Sequence, residues 1–394
     1  MNKTNGIILL ALSVAIGCGA AAKQSNEQRP PAAETISQIY DLKLQDAPAD
    51  TLNVEVIAEG LETPWTIAFL PDGSALVTER PGRLRVIRSG VLATEPIGTI
   101  AEAAETGGEG GLMGLAVHPE FSENRWIYVS FTHPNADGFG VKVVRYTLRN
   151  DQLSDPKTIL EGIEGGRNHD GCALGFGPDG KLYITTGERY KKHLASDMTS
   201  LNGKTLRLND DGTVPEDNPF AGKAETRPEI WSFGHRNAQG MDWQPGTGLF
   251  MQAEHGPSGS DAPGGGDEVN IVEKGADYGW PRVHHRELLA GTEPPILEYT
   301  PALAPGGAAF YKGTLFGNWK GDFLFTALRG TSLIRVDMDG AKPVAQYKML
   351  TTYGRLRAIA NAPDGSIWVG TSNRDGRARA RTGDDKILRL TPKE

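Results

Sequence analysis

A chain of 394 residues with 50 glycines, 25 prolines and a formal net charge of −8 is long enough for one large all-β domain and too rich in turn formers for a helical bundle. The acidic balance, with no basic stripe along the chain, argues against a nucleic-acid partner. A functional site has to be sought in local clusters of polar residues.

The first element is a targeting segment. Lys3 precedes an apolar run over residues 7–16 that is too short to span a bilayer and suits a signal sequence. The run ends in Ala15-Ile16-Gly17-Cys18, which resembles the lipobox of bacterial lipoproteins, whose cysteine is acylated and becomes the new N-terminus. Ordinary cleavage near residues 20–22 is the alternative. The expected organisation is a signal peptide over 1–17, a flexible tether over 18–50 and a folded domain over 51–394. The tether reads as such because it is polar and rich in Ala, Gln, Glu and Pro. The expected location is the periplasm of a bacterium, with a lipid tether to the membrane through Cys18. Cys172 is the one other cysteine, so an acylated or removed Cys18 leaves no intramolecular disulfide, and Cys172 reads as a buried, inert thiol. No C-x-x-C-H is present, so the chain attaches no c-type haem.

From residue 64 onward one pattern recurs: a short apolar strand, a Pro-Asp-Gly turn or a substitute, and a second apolar strand. Its copies centre on Pro71-Asp72-Gly73, His118-Pro119, Pro178-Asp179-Gly180, Pro245-Gly246, the segment after Phe310-Tyr311, and Pro363-Asp364-Gly365. Further strand-like runs, such as Leu84-Arg85-Val86-Ile87, lie between the copies. Six such units of four strands around a channel predict an all-β fold, a six-bladed β-propeller. The run Ile387-Leu388-Arg389-Leu390 is expected to close the ring against Val54-Glu55-Val56-Ile57.

In an antiparallel hairpin the residues before the first strand and after the second lie at the end opposite the turn. His169 and Arg236 each stand nine residues before their turn proline and Glu109 ten, while Arg355 and Arg357 stand eight and six before Pro363. Glu188, the run Glu254-His255-Gly256-Pro257, and Arg329 follow second strands. All should project toward one face, near the channel mouth. A histidine in the polar loop Arg167-Asn168-His169-Asp170-Gly171 suits a general base or a structural role. Arg236, Arg329, Arg355 and Arg357 suit an anionic ligand with several acidic groups, or ion pairs to Glu109, Glu188 and nearby aspartates. The Gly-rich loop over 256–268 offers carbonyls and carboxylates of the kind Ca²⁺ takes, although an acidic turn is also often just solvated. The glycines around Glu109 suit close backbone approach to a ligand or plain turn chemistry.

At these positions the chain resembles the glucose/sorbosone dehydrogenases, soluble quinoproteins that use pyrroloquinoline quinone (PQQ), and within them the aldose sugar dehydrogenase branch. The resemblance spans about residues 52 to 392. It rests on Leu61-Glu62-Thr63-Pro64-Trp65, Gly108-Glu109-Gly110-Gly111-Leu112-Met113-Gly114, Asn168-His169-Asp170-Gly171, Leu201-Asn202-Gly203-Lys204, Gly234-His235-Arg236-Asn237-Ala238-Gln239-Gly240, Glu254-His255-Gly256-Pro257, Asp267-Glu268-Val269-Asn270 and Tyr278-Gly279-Trp280-Pro281.

The resemblance implies PQQ-dependent oxidation of an aldose sugar at C1 to its lactone, with electrons passed to an external acceptor, a quinone or a cytochrome. It implies His169 as the base supported by Glu188, Arg236 as the group that polarises the quinone, and Asn237 beside it. Arg329, Arg355 and Arg357 would face the cofactor, as would Glu109. The carbonyls of Gly256 and Pro257 would hold Ca²⁺, and Glu254, Asp267 and Glu268 are candidates for a second Ca²⁺ site. Four features depart from the family pattern: Glu109 in place of glutamine, Arg329 in place of lysine, Cys172-Ala173 after the histidine motif, and Thr300 where a cofactor-stacking tryptophan is frequent. Two other classes suit a propeller: a non-catalytic binding module and a metal-dependent lactonase. The joint presence of His169, Arg236 and Asn237 favours the enzyme. A lactonase would need carboxylate and asparagine metal ligands around the channel.

Overall fold

The Pro-Asp-Gly turns set the register of the blades. Each aspartate accepts a hydrogen bond from the backbone N–H two residues on: Asp72 from Ser74 at 2.9 Å, Asp179 from Lys181 at 3.1 Å and Asp364 from Ser366 at 2.9 Å. The glycine between them adopts the left-handed conformation, with φ +84° at Gly73, +72° at Gly180 and +83° at Gly365. The flanking strands then pair with Ile67 opposite Val77, Leu174 opposite Ile184 and Ile359 opposite Val369.

A computed structural model describes residues 38–48, 51–259 and 261–393. Six antiparallel sheets follow one another along the chain. Blade 1 is built on Pro64–Phe69, Ala75–Glu79 and Arg83–Arg88, with short outer strands. Blade 2 contains Leu112–Val117, Trp126–Asn135, Gly138–Arg149 and Gln152–Glu164. Blade 3 contains Gly171–Phe176, Leu182–Thr186, Lys204–Leu208 and Ile230–Phe233. Blade 4 contains Ala238–Trp243, Phe250–Glu254, Asp267–Ile271 and Leu297–Tyr299. Blade 5 contains Pro305–Phe310, Phe323–Ala327, Ser332–Asp339 and Lys342–Met349. Blade 6 joins Leu356–Asn361, Ile367–Thr371 and Ile387–Pro392 to the N-terminal strand Leu52–Ala58. The last pairing puts Val54 opposite Leu390 and Val56 opposite Leu388, so the two ends of the domain lock into one sheet. The fold is the six-bladed β-propeller.

The first strands of the six blades contact one another in cyclic order around the channel. Their small residues permit this. A Cβ at Gly114 would stand 2.2 Å from the Cys172 carbonyl oxygen of the next blade. Apolar side chains of successive blades fill the space between sheets; one cluster unites Trp65, Met113, Tyr128, Cys172, Ile184 and Leu206. Cys172 is a buried free thiol whose proton burial holds on far more tightly than usual.

One expectation needs correction. The stretch assigned to a tether over 18–50 is part of the domain from residue 38 to 48. Leu44–Asp46 pairs in parallel with the outer strand of blade 5, and Gln346 donates to the Leu42 carbonyl at 2.6 Å. Tyr40, Leu42 and Leu44 pack on the core between blades 4 and 5. Their alternation is a strand signal hidden in a polar stretch, and the added strand covers an edge that would otherwise be open. The signal peptide and Cys18 lie outside the described residues.

Candidate active site

The loops that join second to third strands, and one blade to the next, all emerge at one end of the channel. They bring His169, Glu109, Arg236, Asn237, Arg355, Glu188 and the 255–266 loop together, as the spacing predicts. Glu109 lies at the centre. Its Oε2 accepts hydrogen bonds from the His169 backbone N–H at 3.2 Å, Gln239 at 3.3 Å and Asn237 at 3.4 Å, and its Oε1 meets Arg377 at 3.1 Å. Burial opposes its ionisation, but the imidazoles of His255 and His169 and the charges of Arg377 and Arg357 bring its carboxyl down to about 2. His255 is itself pushed down to about 3, chiefly by burial, so at neutral pH the arginines are the charged partners that count.

His169 is held at φ +61°, a left-handed conformation rare for a non-glycine residue, which turns its N–H toward Glu109. Its Nδ1 contacts Glu188 Oε1. A carboxylate there fixes the proton on Nδ1 and leaves Nε2 with a free lone pair. Glu188 is fully buried, and its backbone N–H donates to the Arg236 carbonyl at 2.9 Å. The Tyr190 ring lies against the imidazole with centroids 3.8 Å apart. Asp170, next to His169, accepts from Gly166 N–H at 2.7 Å; burial raises its carboxyl to about 8, so it is protonated at neutral pH.

The arginines are anchored differently. Arg236, 1% exposed, makes two bonds to Asp261 Oδ2 at 2.8 and 3.0 Å, and Lys192 reaches the other oxygen of Asp261. Arg355 pairs with Asp375 at 2.7 Å. Arg357, 3% exposed, contacts only neutral groups: Gln239 Oε1 at 2.9 Å, Ser372 Oγ at 3.4 Å and the face of Trp65 at 4.8 Å. It makes no direct ion pair among the described residues, although the charges of Asp375 and Glu109 act on it from nearby. Burial weakens its hold on the proton, to about 10, which still leaves it charged. Arg329 is on the same face but exposed, with no side-chain hydrogen bond or ion pair among the described residues.

The carbonyl oxygens of Gly256 and Pro257 accept no hydrogen bond among the described residues. Gly256 packs so closely on Gly266 that a Cβ would come within 1.9 Å of its carbonyl oxygen. The carboxylates named for a second Ca²⁺ site have protein partners. Glu254 takes the Arg236 backbone N–H and His235 Nδ1, the latter at 2.8 Å. Asp267 accepts from Gly256, Leu303 and Ala304 N–H groups at 2.9, 2.6 and 2.6 Å. Glu268 is half-buried with Asn270 as its partner, and desolvation and the charge of Glu254 raise its carboxyl well above the usual range. Glu254 and Asp267 brace the loop that presents Gly256 and Pro257.

The family model for glucose/sorbosone dehydrogenase matches residues 61–383, a span that contains the whole of this face. The chain belongs to the glucose/sorbosone dehydrogenase family. It is 35% identical over 367 residues to the aldose sugar dehydrogenase YliI of Escherichia coli strain K12, covering 88% of this chain and 94% of that protein. It is 31% identical over 284 residues to quinoprotein glucose dehydrogenase B of Acinetobacter calcoaceticus, covering 63% and 57%. The solved PQQ-bound aldose sugar dehydrogenase of Streptomyces coelicolor is similar at 32% identity with a TM-score of 0.77, covering 88% of this chain and 100% of that one.

Within this family member, Tyr190, Arg377 and Asp375 are site residues that the sequence reading did not name, and the structure gives Thr300 and Lys204 their partners. Tyr190 follows Glu188 closely enough that its place against His169 was open to inference. Arg377 and Asp375 sit in the long 372–386 loop, which carries no repeat signal. Thr300, at the tryptophan position, bonds to Gly266 N–H at 2.9 Å and so serves the Gly-rich loop. Lys204 of the Leu-Asn-Gly-Lys motif is buried and donates to the carbonyls of Leu194, Ala195 and Asn202, which fixes the segment after Tyr190.

Proposed function

We propose that this family member oxidises an aldose sugar at C1 to the lactone with PQQ as cofactor and Ca²⁺ as its metal, and passes the electrons to a separate acceptor. The observation that carries the reading is Arg357: a buried guanidinium whose direct contacts are all neutral and which makes no ion pair among the described residues, at the same channel mouth as an imidazole held by a carboxylate. An unpaired buried charge is unfavourable, and an anionic ligand relieves it. His255 Nε2 is also buried without a partner among the described residues. PQQ carries three carboxylates, so the residues present fit it. Arg355 and Arg357 would hold its carboxylates, with Arg329 at the rim. The free carbonyls of Gly256 and Pro257 would hold Ca²⁺.

When bound, PQQ supplies the two-electron acceptor for the hydride that leaves C1. His169 Nε2 takes the proton of the C1 hydroxyl. Glu188 keeps the other ring nitrogen protonated and stabilises the positive charge that develops on the ring. Arg236 places a fixed positive charge beside the reacting groups, and its pair with Asp261 prevents it from swinging away. Glu109 and Asn237 orient the His169 backbone and the loop start at Gly171, whose N–H donates to Asn237 Oδ1 at 3.1 Å.

The test is reconstitution of the purified apoprotein with PQQ and Ca²⁺ in the presence of a dye acceptor and a panel of aldoses. Dye reduction that needs PQQ, Ca²⁺ and an aldose supports the reading. PQQ binding indifferent to exhaustive Ca²⁺ removal would overturn the metal assignment. The N-terminal run ending in Cys18 supports export to the periplasm and a lipid anchor. Cys18→Ser should then release a membrane-bound protein, since acyl chains contribute about 0.8 kcal/mol per buried CH₂. Fractionation unchanged by this substitution would reject the anchor.

A further inference from the structure

The loop over residues 372–386, between the second and third strands of blade 6, overhangs the channel mouth. Its base is fixed. Asp385 is buried and accepts from the backbone N–H of Asn373 at 2.5 Å, from that of Thr63 at 3.0 Å and from the Thr371 hydroxyl at 3.0 Å. On its inner side the loop touches the two arginines assigned to the cofactor: Asp375 pairs with Arg355, and Ser372 meets Arg357.

Its outer side is a cluster of positive charge. Arg374, Arg377, Arg379 and Arg381 are all exposed. Arg377 spans the mouth to Glu109 and, at 2.7 Å, to Asn168. Arg374 and Arg381 bond only backbone carbonyls, of Asp384 at 2.6 Å and Thr352 at 3.0 Å. Arg379 has no hydrogen bond or ion pair among the described residues, and Arg329 on the same face has none either. Of the acids in the loop, Asp375 is paired with Arg355, and Asp384 and Asp385 accept from backbone N–H groups at its base. Arg374, Arg379 and Arg381 thus make no ion pair among the described residues, on a chain whose net charge is −8.

We infer that this arginine loop is the docking surface for an electron acceptor that presents negative charge, an inference that rests on the proposed PQQ-dependent oxidation. Without a haem motif, electrons delivered to a buried site leave by encounter with a separate carrier. Each sugar oxidised yields two electrons, which leave in two one-electron transfers to two carriers while two protons go to solvent. The same loop touches Arg355 and Arg357, so a carrier seated on its tip stands over the residues proposed to hold the cofactor. At physiological salt the screening length is about 8 Å, so a carrier at the mouth senses the arginine tip and not the net charge of the whole chain. Local attraction of this kind raises encounter rates steeply at low salt.

The experiment uses protein loaded with PQQ and Ca²⁺, reduced with dithionite, and mixed in stopped flow with ferricyanide, an anionic one-electron oxidant, or hexaammineruthenium(III), a cationic one. The parental ferricyanide rate constant should fall as salt rises. Arg379→Glu combined with Arg381→Glu should slow ferricyanide roughly tenfold or more at low salt, abolish or invert that salt dependence, and speed the ruthenium complex. The single substitution Arg379→Glu should show a smaller change in the same direction. Reduction of bound PQQ by sugar, measured separately, should be unchanged. Equal rates for parent and double variant with both oxidants would overturn the inference. So would an effect confined to the sugar-dependent step, which would assign the loop to an anionic substrate. Because dithionite supplies the electrons, failure of sugar oxidation and failure of the docking surface are told apart. Protein that binds no PQQ overturns both readings.

Discussion

Glu188→Gln isolates the contribution of one charge. Glu188 is fully buried, with one carboxylate oxygen on His169 Nδ1 and the other without a partner. The amide retains an oxygen for the imidazole N–H and the same shape, and the backbone bond to Arg236 is untouched. The substitution removes the negative charge that stabilises His169 as it takes a proton. Hydrogen bonds to charged groups are worth about 1.5–3 kcal/mol against about 1 kcal/mol for neutral ones. A difference of about 1–2 kcal/mol in the transition state corresponds to a rate loss of roughly five- to thirtyfold. The assay is single-turnover reduction of bound PQQ by saturating aldose, followed by absorbance. PQQ affinity should be unchanged, because the arginines and Ca²⁺ provide it. Thermal stability should be unchanged or higher, since an incompletely satisfied buried charge has been removed. A parental rate in the glutamine variant would refute the role given to Glu188. A collapse of PQQ binding at an unchanged rate would show that Glu188 shapes the pocket without acting through His169.

Arg357→Ala should weaken PQQ binding by about 2–4 kcal/mol, roughly thirty- to a thousandfold in Kd by titration, while the apoprotein melts no earlier than the parent. Asp267→Ala removes the acceptor of three backbone N–H groups and should lower both Ca²⁺ affinity, by calorimetric titration, and thermal stability, by about 2–4 kcal/mol. Asp170→Asn tests a protonation state. Burial raises Asp170 from an ordinary 3.8 to about 8 in the folded protein, so its stabilising contribution is complete below about pH 4 and is lost as pH rises through 8. The neutral amide lacks that dependence, and the melting temperature of the variant relative to the parent should climb between pH 4 and pH 8.

The propeller was legible because its turns repeat. Asp72, Asp179 and Asp364 each fix the same two-residue hydrogen bond, and the phase they impose places His169, Glu109, Arg236 and Arg355 at one end of the channel. What escaped depends on long-range partners. Whether Glu254 and Asp267 bind a cation or brace a loop is decided by which N–H groups the fold brings to them, and Leu303 and Ala304 are far from Asp267 in the chain. The strand at Leu44–Asp46 was masked by a polar neighbourhood, with its apolar residues spaced at every second position. Arg377 reaches Glu109 across the mouth from an irregular loop whose path no periodicity describes. Arg357 was legible as a mouth residue, but its lack of a carboxylate partner could be read only once Asp375 was seen to pair with Arg355.

In the proposed reaction His169 takes the sugar proton at a site where PQQ binds. The most direct measurement is single-turnover reduction of PQQ by aldose in the reconstituted His169→Ala variant, alongside a PQQ titration of the same protein. PQQ affinity should stay parental, and the reduction rate should fall by roughly 10²–10⁴-fold, the usual loss for a positioned general base. Reduction of the bound quinone at the parental rate would contradict it.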